Sequence, residues 1–280
     1  IKYYEEALEI DKKLGQEGNI STYLNNIGLV YIFQGKYDMA IKNFEEALAI
    51  AEKLGQEGSV ATCRNNIGLV YYSRGQYDKA IKYYEEALEI DKKLGQEGNI
   101  STYLNNIGNV YDDWGQYDNA LKYYEEALAT FKKLGQEGSV ATCRNNIGGV
   151  YHHWGKYDKA IKNFEEALEI DKKLGREGNI STYLNNIGLV YYARGQYDEA
   201  IKYYEEALEI DKKLGQEGSI ATCLNNIGGV SKSWGLYDWA IKYYKEALDI
   251  LKKLGMEGEM ATCLSNIGSV YSLQEKYKTA

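Results

Sequence analysis

The chain has 280 residues, a formal net charge of −8, no proline and 28 tyrosines. Lysine and glutamate are interleaved without a concentrated basic stripe, which argues against nucleic-acid binding. No stretch is apolar enough for a membrane span or a signal peptide, so we expect a cytoplasmic protein that does not enter a membrane. Because the first residue is Ile1, we also expect the sequence to be a segment excised from a longer chain.

Seven copies of a 40-residue repeat fill residues 1–280. A fixed period of this size indicates a supersecondary unit that buries its apolar face only by stacking on its neighbours. The absence of proline, with glycine confined to a few columns of the repeat, indicates helices joined by short glycine turns. The sequence therefore predicts a single all-α array, whose function lies on an extended surface.

The first helix of each repeat, helix A, is indicated by residues at helical spacing. Leu24, Ile27, Gly28 and Tyr31 stand at i, i+3, i+4 and i+7, on one face of a helix. The pattern predicts A helices near residues 20–34, 60–74, 100–114, 140–154, 180–194, 220–234 and 260–274.

The second helix, helix B, lies between successive A helices. In the first complete copy it covers residues 37–54, with Ala40 and Phe44 directed inward. Gly55 follows, and a glycine there can take the left-handed conformation that ends a helix. The turn is expected to continue to Gly58 before the next helix A begins.

Gly28 recurs inside helix A in all seven repeats. Glycine in a helix interior costs about 0.8–1 kcal/mol relative to alanine. The absence of a side chain must therefore permit a contact that stabilises the protein by more than this cost. We expect a close approach of helix A to helix B, against the small Ala40 or its equivalents.

This pattern resembles the tetratricopeptide repeat, although the usual proline is missing and the repeat is longer than the usual length of about 34 residues. The longer helix B resembles the repeats of kinesin light chain, of spindle-orientation adaptors and of prokaryotic regulators. The resemblance implies a right-handed superhelical α-solenoid of antiparallel helix pairs, whose concave wall of A helices binds peptides or protein segments. It covers the whole chain, so we expect neither an enzyme nor a cofactor. The residues that carry it are Leu24, Ile27, Gly28, Tyr31, Ala40, Phe44 and Ala47.

A ladder of asparagines is the main candidate for the binding surface. Asn25 lies on the face of helix A opposite Leu24 and Ile27. Primary amides both donate and accept, so a ladder of them can hydrogen-bond the backbone of an extended segment, as inner-wall asparagines do in the resembling families. Alternatively, one member of each Asn25–Asn26 pair satisfies neighbouring helices across the stack. The candidate peptide-binding asparagines are Asn25, Asn65, Asn105, Asn145, Asn185 and Asn225.

Columns that differ between the copies are candidates for ligand specificity. The position of Leu29 becomes Asn109 in the third copy, and the end of helix A varies most in the middle of the array. Tryptophans there can anchor a ligand or simply cap neighbouring helix ends. A metal site is not expected, because adjacent histidines on a helix point about 100° apart. The candidates in these columns are Leu29, Asn109, Asp112, Trp114, His152 and Trp154.

Four cysteines share one column of the repeat. Equivalent points on neighbouring helix pairs lie about 10 Å apart, beyond the limit of about 7 Å between Cα atoms for a disulfide. We expect reduced, partly buried thiols and no metal site at Cys63, Cys143, Cys223 and Cys263.

Three classes of function fit this sequence, and none is catalytic, because no nucleophile stands beside a base and no phosphate-binding loop is present. The first is a protein-interaction scaffold that binds an extended or helical segment in its groove. The second is a sensor of a peptide signal within a larger regulator. The third is a structural array that associates head to tail, because residues 1–14 form a helix B without its start and residues 276–280 a start without its remainder.

Overall fold

A computed structural model describes residues 1–15 and 17–278, with side chains as far as residue 275. This part of the chain forms fourteen α-helices and contains no strand. In chain order the helices are α1 (Lys2–Leu14), α2 (Glu17–Phe33), α3 (Tyr37–Lys53), α4 (Glu57–Ser73), α5 (Tyr77–Leu94), α6 (Glu97–Asp113), α7 (Tyr117–Lys133), α8 (Glu137–His153), α9 (Tyr157–Leu174), α10 (Glu177–Ala193), α11 (Tyr197–Leu214), α12 (Glu217–Ser233), α13 (Tyr237–Leu254) and α14 (Glu257–Lys278).

From α2 onward a helix begins every 20 residues, so the two helices of a repeat have similar lengths. Even-numbered helices are the A helices, and each starts three residues before its predicted start. Gly58, predicted in the turn, lies instead in the first turn of α4, behind Glu57. An acidic residue at that place is favoured by the helix dipole, and the glycine does not interrupt the helix. The turn itself is made by Gly55, whose φ is 65°.

The last helix departs from this plan. In the other repeats a left-handed glycine such as Gly235 separates helix A from helix B. The equivalent residue is Glu275, which has no comparable access to the left-handed region. The backbone therefore continues as one helix from Glu257 to Lys278, without the predicted break after residue 274. Of the predicted helix B start, Thr279 and Ala280 lie outside the described residues.

The chain divides into an N-terminal half, Ile1–Ser139, and a C-terminal half, Val140–Ala280. Within each half, helix A packs on the helix B that follows it, and helix B packs on the next helix A. The short glycine turns make the paired helices antiparallel. The all-α solenoid of helix pairs predicted from the sequence is therefore confirmed.

The glycine inside helix A permits a close approach to helix B, but to an aromatic ring and not to Ala40. A Cβ added at Gly68 would lie 2.8 Å from Cε1 of Tyr84, and one added at Gly188 would lie 2.8 Å from Cε1 of Tyr204. Both rings are almost completely buried. Each such ring occupies the space that a side chain on helix A would need.

Candidate functional site

Asparagine side chains join successive A helices. In the N-terminal half, Nδ2 of Asn66 donates to Oδ1 of Asn25 at 2.8 Å, and Nδ2 of Asn106 donates to Oδ1 of Asn65 at 3.0 Å. The second asparagine of each repeat thus reaches back to the first asparagine of the preceding repeat. The same bonds occur in the C-terminal half, from Asn186 to Asn145, from Asn226 to Asn185 and from Asn266 to Asn225.

These bonds use only part of each amide in the first column. Each bond occupies one lone pair on the carbonyl oxygen of the first-column asparagine. The second lone pair and the two N–H donors of that amide are not used by the ladder. In some repeats Nδ2 has a partner on the protein: Asn65 donates to Asn66 at 3.2 Å, and Asn185 contacts the Cys223 sulfur at 3.0 Å. The six candidate asparagines, including Asn105 on α6, are all half-buried. The structure therefore shows stacking contacts for these amides and also leaves them at the surface.

Open depressions lie between successive A helices beside this ladder. One is between α2 and α4 in the N-terminal half, with a volume of about 230 Å³. Two are in the C-terminal half, between α10 and α12 and between α12 and α14, with volumes of about 240 and 180 Å³. Each is lined by a first-column asparagine and by threonines of both helices. The asparagines concerned are Asn25, Asn185 and Asn225.

The variable column of Leu29 lies at the end of the buried ring on helix B. The hydroxyl of Tyr124 donates to Oδ1 of Asn109. In the sixth repeat, a Cβ added at Gly229 would lie 3.7 Å from the Tyr244 hydroxyl. Variation in this column therefore changes which atoms lie next to the hydroxyl of a buried tyrosine. Asn109 provides a hydrogen-bond acceptor for the Tyr124 hydroxyl.

The candidate tryptophans lie where helix A turns into helix B. Trp114, which is 39% exposed, packs against Tyr77 of the preceding repeat with ring centroids 5.9 Å apart, and against Tyr111 at 6.3 Å. Trp154 is half-buried, and Nζ of Lys156 lies 3.0 Å from its ring centroid. Neither tryptophan lines one of the three depressions. These packing contacts agree with the capping alternative and leave a ligand role as a prediction.

His152 and Asp112 lie near the same turns and are half-buried. The His152 ring centroid is 5.7 Å from that of His153 and 6.0 Å from that of Tyr157. Burial, followed by the charge of His153, lowers the pKa of His152. Among the described residues, no group of three or more His, Cys, Asp or Glu side chains is placed to hold a metal ion.

Buried aspartates form a column that sequence analysis missed. Asp91 and Asp171 are completely buried, and each accepts a hydrogen bond at 3.0 Å from the hydroxyl of a tyrosine twelve residues later, Tyr103 and Tyr183. The signal was present in the repeats, because aspartate and tyrosine occur together at these two columns. These pairs hold helix B to the next helix A.

The four cysteines are buried, and none forms a disulfide within the described residues. Burial raises the pKa of Cys63 to about 11 and that of Cys223 to about 12. Both thiols therefore stay protonated at neutral pH. A reactive cysteine, by contrast, must be present as a thiolate.

Models of the tetratricopeptide repeat match residues 1–53, 19–93, 59–133, 99–173 and 179–253. The chain belongs to the tetratricopeptide repeat family. No curated protein matches it by sequence. No described helix of this tetratricopeptide repeat protein is long and apolar enough to cross a membrane.

Three solved structures show the breadth of this fold. Kinesin light chain repeats from Podosopora anserina are 20% identical, with a TM-score of 0.58 over 68% of this chain and 94% of theirs. A Rap protein complexed with competence and sporulation factor is 16% identical, with a TM-score of 0.63 over 98% and 85%. A signal transduction ATPase from Pyrococcus horikoshii with a tetratricopeptide repeat sensor is 18% identical, with a TM-score of 0.74 over 98% of this chain and 41% of its own.

Proposed function

We propose that the protein is a non-catalytic interaction scaffold that binds an extended protein segment along the A helices. The observation that carries the proposal is the recurrence of one surface. Depressions between successive A helices in both halves are lined by a first-column asparagine and two threonines. These side chains offer donors and acceptors beside open space, as recognition of an extended backbone requires.

The spacing of the ladder suits a segment in an extended conformation. Neighbouring helices pack about 8–10 Å apart, and a polyproline II helix advances about 3.1 Å per residue with three residues per turn. One turn of such a segment therefore matches one step between A helices. Every third residue would meet an equivalent depression, while its backbone meets the asparagine ladder.

Paired variants test the ligand role of the ladder separately from its stacking role. Asn25→Ala with Asn225→Ala removes first-column amides, whereas Asn66→Ala with Asn266→Ala removes the same interhelical hydrogen bonds from the other side. Peptides selected from a random dodecapeptide display library on the unmodified protein serve as probes. We expect the first pair to weaken their binding at least fivefold and the second pair to weaken it less than twofold. Equal effects of the two pairs would contradict the proposal.

A sensor is the second candidate, favoured by the similarity to the ATPase with a tetratricopeptide repeat sensor. A sensor needs one tightly bound signal, whereas a scaffold accepts many related segments. The same selection distinguishes them, because convergence on a single sequence would favour a sensor. A family of sequences with a shared spacing would favour a scaffold.

Self-association of the 280-residue chain is a third candidate, favoured by apolar side chains at its last helix. Leu264 and Tyr271 are 53% and 47% exposed, while Leu224, equivalent to Leu264, is 4% exposed. Tyr3 and Ile10 on α1 are also exposed, at 84% and 57%. We propose that these unlike faces pair head to tail between copies. Light scattering over a hundredfold range of protein concentration would then show a molar mass that increases with concentration. A constant monomeric mass would exclude the association.

A further inference from the structure

The depression between α12 and α14 differs in chemistry from the other two. Its floor is apolar, because Leu251, Cys263 and Ala221 are buried and Met256 is half-buried. One acidic side chain, Glu259, stands at its edge. No carboxylate lines the depressions between α2 and α4 or between α10 and α12.

The difference comes from four positions of the repeat, the first of which is Ala221, where the other two depressions have Ser21 and Ser181. The column of Glu259 contains only serine or asparagine in the six earlier copies, for example Ser59 and Ser219. Met256 replaces the glutamine found in most copies, and Leu251 stands where Asp211 stands one repeat earlier. An apolar floor and an acidic edge therefore occur together at this step of the ladder.

The charge at this edge is available to a ligand. Glu259 is exposed, and no ion pair or hydrogen bond of its carboxylate occurs within the described residues. The thiol on the floor adds no second negative charge, because burial raises the pKa of Cys263. At the same edge, Oδ1 of Asn225 accepts from Nδ2 of Asn266 at 3.2 Å and from the Cys263 thiol at 3.6 Å, and neither bond uses the N–H donors of Asn225.

We propose that this depression takes a lysine or arginine side chain of the bound segment. Such a side chain has an aliphatic stem that fits an apolar floor and a cationic end that pairs with a carboxylate at the rim. Glu259 would then determine specificity at one position of a segment whose backbone is held by the asparagine ladder. The inference rests on the proposed function, since it presumes that a segment lies along the A helices.

Selection of random dodecapeptides on the 280-residue protein and on two variants tests the inference. Glu259→Ser installs the residue that the column carries at Ser59 and Ser219. Glu257→Gln removes a charge two residues away, on the same first turn but outside the depression. Circular dichroism confirms that each variant is folded.

We expect lysine or arginine to be enriched at one fixed position on the unmodified protein and on Glu257→Gln, but not on Glu259→Ser. Replacing that basic residue by norleucine should weaken binding about fivefold at low salt, as for a partly exposed ion pair. The difference in affinity between the basic peptide and its norleucine analogue should shrink at high salt. A third variant, Ser219→Glu, should create a second basic position, because it places a carboxylate at the depression between α10 and α12.

Three results would overturn the inference. If the selected peptides depend on Asn225 but show no basic preference, or keep it in Glu259→Ser, the inference fails and the proposed function stands. If neither the unmodified protein nor any variant selects a peptide, the proposed function fails and the inference fails with it.

Discussion

The hydroxyl of Tyr103 donates a hydrogen bond at 3.0 Å to the completely buried carboxylate of Asp91. The pair connects helix B of one repeat to helix A of the next. Asp211 lacks such a tyrosine: the residue twelve positions later is Cys223, whose sulfur lies 3.4 Å from Oδ2. Oδ1 lacks a hydrogen-bond partner among the described residues in both Asp91 and Asp211, so the two acids differ in the donor to Oδ2, which is a tyrosine hydroxyl in one and a thiol, a weak donor, in the other. Helix α11 therefore contains a buried acid whose hydrogen-bond donor is weak.

This difference predicts opposite effects of one substitution at two equivalent sites. Asp211→Leu reproduces the leucine–cysteine combination of Leu251 and Cys263 and removes a poorly satisfied buried group, so it should raise the free energy of unfolding by about 1–3 kcal/mol. Asp91→Leu leaves the Tyr103 hydroxyl buried without its acceptor and should lower that free energy by about 1–3 kcal/mol. Urea denaturation measures both changes. A loss of stability in both variants would show that the Asp211 pairing is adequate.

The contact between Gly188 and Tyr204 predicts a second pair of opposite effects. A methyl group at Gly188 would overlap a buried ring, and overpacking of this kind costs about 1–3 kcal/mol. At Gly268 an added Cβ would meet no other side chain or neighbouring helix within 4 Å among the described residues, so Gly268→Ala should gain up to about 1 kcal/mol from helix propensity. Thermal unfolding of the two single variants makes the comparison. Stabilisation by Gly188→Ala would mean that the ring moves aside at little cost.

Local packing predicts where a larger substitution acts. Gly148→Leu forces a side chain into the buried ring of Phe164, and repeats interact mainly with their neighbours. Hydrogen exchange should therefore accelerate around residues 140–175 and stay unchanged in α13. Uniform acceleration in all helices of the C-terminal half would contradict this behaviour.

The buried thiols predict a loss of stability in alkali. Burial raises the pKa of Cys223 from 9.0 to about 12, so between these pH values the unfolded chain loses a proton that the folded chain keeps. The unfolded state then binds fewer protons, and the free energy of unfolding falls as pH rises, by up to about 1.4 kcal/mol per pH unit for each thiol. The variant Cys63→Ala with Cys223→Ala should show a shallower fall between pH 9 and about 11. Identical slopes would mean that the thiols ionise normally in the folded state.

The fold was largely predictable because the same signals recur seven times. Helical spacing of Leu24 and Ile27 identified helix A, and left-handed glycines such as Gly55 marked the turns. The predicted break at residue 275 was wrong because it relied on the period of the repeat and not on the residue present, Glu275.

The site was less predictable because spacing along a helix does not reveal contacts between repeats. Sequence could place Asn25 opposite the apolar face, but not the hydrogen bond that it accepts from Asn66, 41 residues later. The aspartate–tyrosine pairs could have been found by comparing columns, since Asp91 with Tyr103 and Asp171 with Tyr183 differ by the same twelve residues. The proposed role of Glu259 could not be predicted from the sequence, because it depends on the depression that this residue lines in the folded structure.

The central claim is that the A-helix face binds a protein segment. Hydrogen–deuterium exchange of the 280-residue protein, with and without a saturating dodecapeptide selected on it, tests this most directly. The account predicts slower exchange in the A helices whose depressions are filled, such as α10 and α12, with little change in the B helices α11 and α13. Protection concentrated in α11 and α13, with unchanged exchange in α10 and α12, would contradict it.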